Sequence, residues 1–448
     1  MDNSILIIGA GVAGINCALN AAKYGTHVYL VDDTPSIGGM MARLDKTFPT
    51  NDCSICIEAP QMYEVDNHPN IDILTNTEVR KVKKADGGFS VRLIKKARFI
   101  DEEKCTGCGA CLEACPVTVP DELDGKIGGV RKLISIPFPQ AVPNVMVIDP
   151  DCRYGRMRDK GACVGGCVVD CSQCRECPIA LCVAACRKEG KDAVRLWQAN
   201  KNINIAVRSI VIATGITDAK PPRGLYGYDL YDNVITYTQF ERLMNAGGPT
   251  GGQIIRPSDR KHAHRIAWIQ CAGRGLEGGV PYCSKVCCMV ATKQSIITKE
   301  HDPQVDTTVY YNDLKAYGKG FWAFYEKARE NGVKYVRARP YDVFEDPETK
   351  NLTVRYEDLD SGELRYDEVE ILVLSTGLVA NSRNERLAKI LKIQLDKLGF
   401  FKEKDPISAP LETEVEGIYV CGGATGPIDI SESVVQATAA SLKAVSPR

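Results

Sequence analysis

The sequence predicts an α/β fold of two dinucleotide-binding units, the first interrupted by a ferredoxin-like, cysteine-rich insertion. Three observations carry that prediction. A strand, a glycine turn, a helix and a second strand open the chain between Ser4 and Val31. Another strand–helix–strand unit begins near Arg265. Between them, Asp101 to about Lys191 holds twelve of the 20 cysteines and shows little strand–helix alternation.

In the first unit, Ser4–Ile8 is an apolar strand and Gly9-Ala-Gly11-Val-Ala-Gly14 is the turn. A helix then runs to about Tyr24, and Val28–Val31 is the next strand. Glycines at this spacing let the backbone approach a pyrophosphate at the helix N-terminus, where free N–H groups and the helix dipole favour an anion. Asp32 closes the second strand, where a carboxylate holds a ribose hydroxyl in such folds, with Asp33 as the alternative. A glycine-rich turn in some other α/β protein is the competing reading; the flanking strands, helix and terminal acid argue against it. After the insertion, Ser209–Ile212 is a buried strand that ends in the turn Ala213-Thr214-Gly215.

The insertion carries the strongest single motif. Cys105, Cys108, Cys111 and Cys115, followed by Pro116, read C-x2-C-x2-C-x3-C-P, the spacing of bacterial ferredoxin [4Fe–4S] sites. Three thiolates on one tight loop grip one cubane, and the fourth, a helical turn on, points at a second. Zinc sites usually use two separated C-x2-C pairs instead. Cys174, Cys177, Cys182 and Cys186 form a second run, with four residues rather than two between Cys177 and Cys182. A crossed arrangement gives Cys105, Cys108, Cys111 and Cys186 to one cubane and Cys115, Cys174, Cys177 and Cys182 to the other. Cys152, Cys163, Cys167 and Cys171 are then a candidate third cluster set. The alternatives are a shifted register with two clusters and free thiols, or zinc.

In the second unit, Ile266–Gln270 is a strand, Ser284–Lys299 a helix, Thr307–Tyr311 a strand and Phe321–Arg329 a helix. Leu352–Tyr356 and Arg365–Leu374 continue the sheet. The chain returns to the first unit through the strand around Tyr419 and the closing helix Ser431–Ala444. The expected domain ranges are 1–100, 196–255 and 376–448 for the first unit, 101–195 for the insertion and 256–375 for the second unit. A second nucleotide fingerprint is due after Ile266–Gln270, but the chain offers Cys271-Ala-Gly273-Arg-Gly275-Leu276. Side chains at the first and third glycine positions would crowd a pyrophosphate. Cys283, Cys287 and Cys288 follow at the helix start, so four thiols converge where a pyridine nucleotide would lie. They fit a further [4Fe–4S] cluster; buried structural thiols or a redox-active dithiol are the alternatives.

Composition bounds these readings. The chain has 448 residues and a net charge of −1, which gives no sign of a nucleic-acid partner. Its apolar runs fall short of the roughly 18 residues a membrane helix needs. Met1 leads almost directly into the first strand, so no secretory signal is expected. Twenty cysteines then argue for metal ligation in a reducing cytoplasm rather than a disulfide scaffold. Cys17 and Cys421 read as core, and His27, His68, His262, His264 and His301 sit in polar stretches or beside a strand. No acid–base constellation for organic chemistry emerges, as expected where cofactors carry the reaction.

The glycine unit, the turn at Thr214-Gly215 and the final strand Tyr419-Val-Cys421-Gly422-Gly423 resemble the two-dinucleotide-binding-domain flavoproteins, such as thioredoxin reductase. The resemblance implies FAD, with Gly9, Gly11 and Gly14 at the pyrophosphate, Asp32 at the ribose and Val79 near the adenine. It places Gly422 and Gly423, in place of the usual Gly-Asp, by the flavin end. Gly38-Gly39-Met40-Met41 lies where that fold approaches the isoalloxazine, although core packing serves the two methionines equally well. Cys53 and Cys56 follow farther from Gly39 than the redox pair of glutathione-reductase-type enzymes, which favours a structural or cluster-proximal role over a flavin-adjacent dithiol.

Longer strings are more specific. Gly39 through Cys56, Ile136 through Pro143, Gly248–Gly252, Arg256–Asp259 and Tyr282 through Met289 resemble the A-type subunit of heterodisulfide reductase, a match running to Phe321. The resemblance implies FAD, three to four [4Fe–4S] clusters, and a cytoplasmic hetero-oligomeric complex in which the flavin divides an electron pair between cluster paths. Methanogen-type members carry a further N-terminal domain and a C-terminal ferredoxin domain, whereas here the fingerprint starts at Gly9 and the sequence stops after the closing helix. Relatives of that shape imply partners such as the B- and C-type subunits of heterodisulfide reductase, or hydrogenase-, formate- or class II benzoyl-CoA-reductase-type assemblies, with ferredoxin as a further partner. The rival functions are an electron relay without bifurcation, a flavin-dependent disulfide reductase, and a non-enzymatic iron–sulfur scaffold.

Overall fold

The computed structural model describes residues 3–121, 123–149, 178–196, 198–277 and 279–446. Its first unit is a five-stranded parallel sheet in the order Ile418–Val420, Ser209–Ile212, Ser4–Ile8, His27–Val31, Ile71–Leu74. Ser4–Ile8 is buried along its whole length, which is why it reads as a continuous apolar run rather than an alternating one. Helices Val12–Lys23 and Ile430–Val445 cover one face and share a core with Ile5, Ile7 and Val211. The antiparallel meander Thr77–Ala85, Gly88–Lys95 and Lys201–Val207 covers the other, packing Val79, Val91 and Leu93 on Leu6 and Ile210. The closing helix starts in a capping box, Asp429 with Glu432, which satisfies its first N–H groups.

The insertion has a small core of its own, in which Cys111, Cys115, Cys182 and Cys186 pack with Ile100, Met146 and Ile148. It is anchored to the first unit by Arg98, only 1 % exposed, which donates to Pro35 O at 2.6 Å, Thr75 Oγ1 at 2.8 Å and Glu102 Oε1 at 3.0 Å. A buried guanidinium needs that many partners to offset its desolvation. The insertion's other arm clamps Ser36 and Ile37: Val142 N donates to Ser36 Oγ at 2.9 Å, and Ile37 N donates to Val142 O at 3.0 Å.

The second unit is a seven-stranded sheet in the order Val234–Thr236, Ile371–Leu374, Arg265–Ile269, Asp306–Tyr311, Lys334–Glu345, Leu352–Asp358, Leu364–Val369. The first five are parallel and the last two add an antiparallel extension. Helices Tyr237–Met244, Cys287–His301 and Gly318–Glu330 cover one face. The expected single strand Arg365–Leu374 is two strands, broken at Glu370, whose carboxylate binds Arg265 and His264 N. Strands Ile216–Asp218 and Leu378–Ala380 pair where the chain crosses between the units.

Candidate cofactor and iron–sulfur sites

The glycine turn forms a cradle that only glycine permits. A Cβ on Gly9, at φ +103°, would lie 2.2 Å from Ala213 O, and one on Gly14 would lie 1.9 Å from Gly9 O. Gly11 differs: its Cβ would meet nothing closer than Gly39 Cα at 3.7 Å. Gly11 caps the helix Val12–Lys23 with no side-chain hydrogen bond, so the first-turn N–H groups are left for an anion. Gly38 N donates to Ala10 O at 2.8 Å, which lays the Gly38–Gly39 turn beside the glycine loop. Asp32 accepts from Ala10 N at 2.7 Å and from Thr34 N and Oγ1 at 2.9 and 2.6 Å. Burial raises its carboxyl above the usual range, while the Thr34 and Ala10 bonds pull the other way. One carboxylate lone pair remains for a ribose hydroxyl.

The other expected flavin contacts are spread around this cradle. Gly422 and Gly423 close it, since a Cβ on Gly422 would meet Ala13 Cβ at 2.7 Å and one on Gly423 would meet Ile216 at 2.9 Å. Thr214 Oγ1 donates to Asn384 Oδ1 at 3.0 Å, and Gly215 is left-handed with open space before it. Val79 is buried in the core under the meander. Met40 packs against the core of the second unit, so the turn that follows the cradle reaches across to it. These features fit a dinucleotide with a flavin end pointing toward the second unit.

In the insertion, Cys105, Cys108, Cys111 and Cys186 line one cavity together with Met146 and Val194. That is the first set of the crossed arrangement. Burial, then the neighbouring Cys105, Cys186 and Cys108, push the Cys111 thiol up to about 11. Protons held this firmly must be displaced by a metal for the thiolates to form. Met146 N and Ala193 N point at Cys105 and Cys186 sulfur at 3.5 and 3.2 Å, oriented to serve ligated thiolates. Cys115 and Cys182 are buried in the same core but do not line that cavity. Cys174 and Cys177, and the proposed third set Cys152, Cys163, Cys167 and Cys171, lie outside the described residues.

The second unit gathers its thiols at the carboxyl end of its sheet. Cys271 follows the strand Arg265–Ile269 at φ +54°, the left-handed state a fingerprint glycine would take, and a cysteine there costs about 1 kcal/mol or more. Cys287 and Cys288 form the first turn of the helix Cys287–His301, which has no side-chain cap. Burial raises Cys287 well above the usual thiol range, with Cys288, Cys271 and Cys283 all close enough to add to it. Cys288 is pushed up to about 11, mainly by burial. Lys285 N donates to Cys283 sulfur at 3.4 Å. Four thiols at an uncapped helix start are a ready anionic-cluster site. Cys287, Met40 and Ile216 all pack on the core of the second unit.

Several residues here gave no sequence signal. Glu241 and Lys293 form an ion pair, each side chain 2 % exposed. Lys293 Nζ also donates to Lys46 O at 2.7 Å, and Asp45 N to Glu241 Oε1 at 3.0 Å, which pins the 45–46 loop of the first unit to the second. Tyr237 donates to Asp218 at 2.5 Å beside Cys287. Glu58 is 1 % exposed with neither carboxyl oxygen partnered, on a helix, Ser54–Asp66, that packs on Met41 and Gly38. Cys53 and Cys56, at the start of that helix, form a disulfide. Cys17 and Cys421 are fully buried in the core and hydrogen-bond each other. A wide cleft lined by Tyr226, Leu276, Arg339, Asp342 and Glu357 contains none of the cysteines.

Comparison with known proteins follows the same outline. Residues 4–51 match the model for FAD dependent oxidoreductases, and residues 98–120 match the 4Fe-4S binding domain. The iron–sulfur A-type subunit of CoB--CoM heterodisulfide reductase from Methanocaldococcus jannaschii is 45 % identical over 443 residues, covering 98 % of this chain and 63 % of that protein. The similarity to A-type heterodisulfide reductase subunits runs over nearly the whole of this chain. The corresponding subunit of the H(2)/formate:CoB-CoM heterodisulfide,ferredoxin reductase from Methanococcus maripaludis is also 45 % identical, over the same shares. That of the H(2):CoB-CoM heterodisulfide,ferredoxin reductase from Methanothermobacter thermautotrophicus is 41 % identical over all of this chain and 64 % of its own length. The chain thus spans a little under two thirds of these relatives. Thioredoxin reductase from T. acidophilum shares the fold, with a TM-score of 0.50 at 14 % identity over 99 % of this chain and 98 % of that one. The chain therefore carries matches to an FAD dependent oxidoreductase and to a 4Fe-4S binding domain on a thioredoxin-reductase-like fold. Among the described residues no helix is long and apolar enough to cross a membrane.

Proposed function

We propose that this protein works in a cytoplasmic, multisubunit complex, exchanging electron pairs at FAD and single electrons with partner subunits through three to four [4Fe–4S] clusters. The partners are B- and C-type subunits of heterodisulfide reductase or hydrogenase-, formate- or benzoyl-CoA-reductase-type proteins, with ferredoxin as an acceptor or donor. The observation that carries this reading is the four-thiol site at the start of helix Cys287–His301, in the place of a pyridine-nucleotide loop. The bound FAD supplies the step between two-electron and one-electron chemistry, and division of the pair between two cluster paths is part of the proposal.

The chain's residues supply the rest. Gly9, Gly11 and Gly14 admit the pyrophosphate, and Asp32 orients the ribose. Cys105, Cys108, Cys111 and Cys186 hold one cluster, Cys115, Cys174, Cys177 and Cys182 a second, and Cys271, Cys283, Cys287 and Cys288 another. Cys152, Cys163, Cys167 and Cys171 are the set for a fourth. Buried Tyr237, beside Cys287, keeps its proton directed at Asp218. Iron, zinc and FAD per chain on anaerobically purified protein test the reading. About sixteen iron and one FAD support four cubanes; about eight iron return Cys271–Cys288 to a thiol role, at four iron per cubane.

The Cys53–Cys56 disulfide favours a second reading, a flavin-linked disulfide reductase. Its helix touches Met41 through Ser54 Oγ at 2.8 Å, beside the flavin-facing turn. Thiol counting after stoichiometric photoreduction separates the two. Two new thiols per FAD reduced support the reductase, and none supports the electron-transfer role.

A further inference from the structure

The thiol site of the second unit has two more polar side chains beside it whose partners are missing among the described residues. Gln270 is 7 % exposed and Ser375 1 % exposed, and Gln270 Nε2 and Oε1 and Ser375 Oγ are all buried without a hydrogen bond. Each unmade bond of this kind costs about 1–3 kcal/mol, so three together in one place call for an occupant. Their backbone N–H groups are both engaged. Gln270 N donates to Tyr310 O at 2.9 Å, Ser375 N to Ile269 O at 3.0 Å and Ala272 N to Ser375 O at 3.0 Å. The side chains alone are free to serve something else.

The strand register says where they point. Ile266 and Trp268 face the helix layer, where Trp268 Nε1 donates to Gln294 Oε1 at 2.9 Å on the helix Cys287–His301. Alternation puts Gln270 on the same face. Two residues along the strand, toward its carboxyl end, it lies nearer the start of that antiparallel-running helix, where Cys287 and Cys288 sit. Ile269 pairs with Leu374, so Ser375 is the next residue beside Gln270, and Val373 shows that its side faces the same layer. Cys271 is the very next residue in the chain. An amide and a hydroxyl therefore flank the thiols at the carboxyl ends of two central strands.

We propose that Gln270 Nε2 and Ser375 Oγ donate hydrogen bonds to the sulfur atoms of the cluster held by Cys271, Cys283, Cys287 and Cys288, and so set its reduction potential. The inference rests on the iron–sulfur reading of that site. Donors to cluster sulfur stabilise the more negative, reduced form, so they raise the potential. Tuning it upward favours electrons moving from the flavin onto this cluster over their return.

The test uses the FAD- and iron-loaded protein in an EPR-monitored potentiometric titration. Gln270→Met keeps the length and removes the donor; Ser375→Ala removes the hydroxyl, and Ser375→Thr restores it. The expected result is a more negative midpoint for one cluster signal in Gln270→Met and Ser375→Ala. Ser375→Thr returns toward the wild-type value, and iron, FAD and the other signals stay unchanged. Unmoved midpoints in both variants overturn the inference while leaving the cluster in place. Selective iron loss in Gln270→Met with Ser375→Ala unchanged makes these packing residues, which also overturns it. If Cys287→Ala keeps the full wild-type iron content, the cluster reading itself falls, and the inference with it.

Discussion

Gly11→Ala separates cofactor recognition from folding in a way no other glycine of the cradle allows. Alanine at Gly9 or Gly14 would drive a Cβ to 2.2 or 1.9 Å from a carbonyl oxygen, so those variants fail structurally and say nothing of the ligand. Gly11 has an ordinary extended conformation, φ −83° and ψ −171°, and 3.7 Å of clearance. The protein itself should lose about 1 kcal/mol or less, the difference between glycine and alanine at a helix N-cap. The cofactor is affected differently, because the added methyl projects into the space where the pyrophosphate must approach the helix start. Overpacking of that kind costs about 1–3 kcal/mol, which corresponds to a roughly 5- to 150-fold weaker FAD complex. FAD binding to deflavinated protein, followed by flavin fluorescence, gives the affinity, and a thermal midpoint of the apoprotein gives the control. Unchanged affinity with unchanged stability would refute the argument, because the pyrophosphate then does not pass Gly11.

Three further predictions rest on single features. Lys293→Met strands Glu241 as a buried charge and should cost about 3–5 kcal/mol, or roughly 3–5 °C in thermal midpoint for a chain of this length; pairing it with Glu241→Leu should recover most of the loss, and no recovery would mean the ion pair is not the source. Burial raises Glu58 well above its usual value of 4.5. The folded chain therefore holds a proton that the unfolded chain releases, so its stability contribution is complete below about pH 4.5 and lost as pH rises, at up to about 1.4 kcal/mol per unit. Glu58→Gln should flatten that part of the stability–pH curve measured by denaturant midpoints, and an unchanged slope would place the titration elsewhere. Cys186→Ala should remove about four iron per chain, the content of one cubane, while Cys17→Ala should remove none; equal iron in both would break the crossed assignment.

The first unit was legible because its rules are local. Ser4–Ile8, the glycine turn and the closing helix are fixed by apolar runs, spacing and caps, and the structure places them within a residue or so of expectation. The helix Ser54–Asp66 had no comparable signal: its apolar residues do not keep to one face, and it carries Pro60 in its interior. The long strand Lys334–Glu345 was equally silent, because it is parallel to one neighbour and antiparallel to the next, and its exposure alternates irregularly around a bulge at Pro340. Cysteines could be found from spacing. The amide, hydroxyl and carboxyl groups of Gln270, Ser375 and Glu58 could not, since only burial without a partner marks them out.

Under the function proposed above, the second unit adapts one backbone to a different electron carrier. Its strand, left-handed turn and uncapped helix start are those of a nucleotide site, and Cys271 even takes the positive φ that a glycine would adopt. A nucleotide needs that turn bare so that phosphate oxygens can reach the helix N–H groups. Here the same uncapped positive end faces thiols instead, and the helix dipole that would have drawn phosphate favours thiolates carrying an anionic cluster. Burial opposes those charges, as the raised Cys287 and Cys288 thiols show. In the proposed site iron would make ionised thiols tolerable at this depth, because ligation replaces their protons with a cation. A diffusible pyridine nucleotide would deliver a hydride from solution; the fixed one-electron carrier proposed in its place would make the flavin answer to neighbouring protein centres. On that proposal, the exchange of a leaving ligand for a resident one is the physical reason a thioredoxin-reductase-like fold would serve as an internal junction in an electron path.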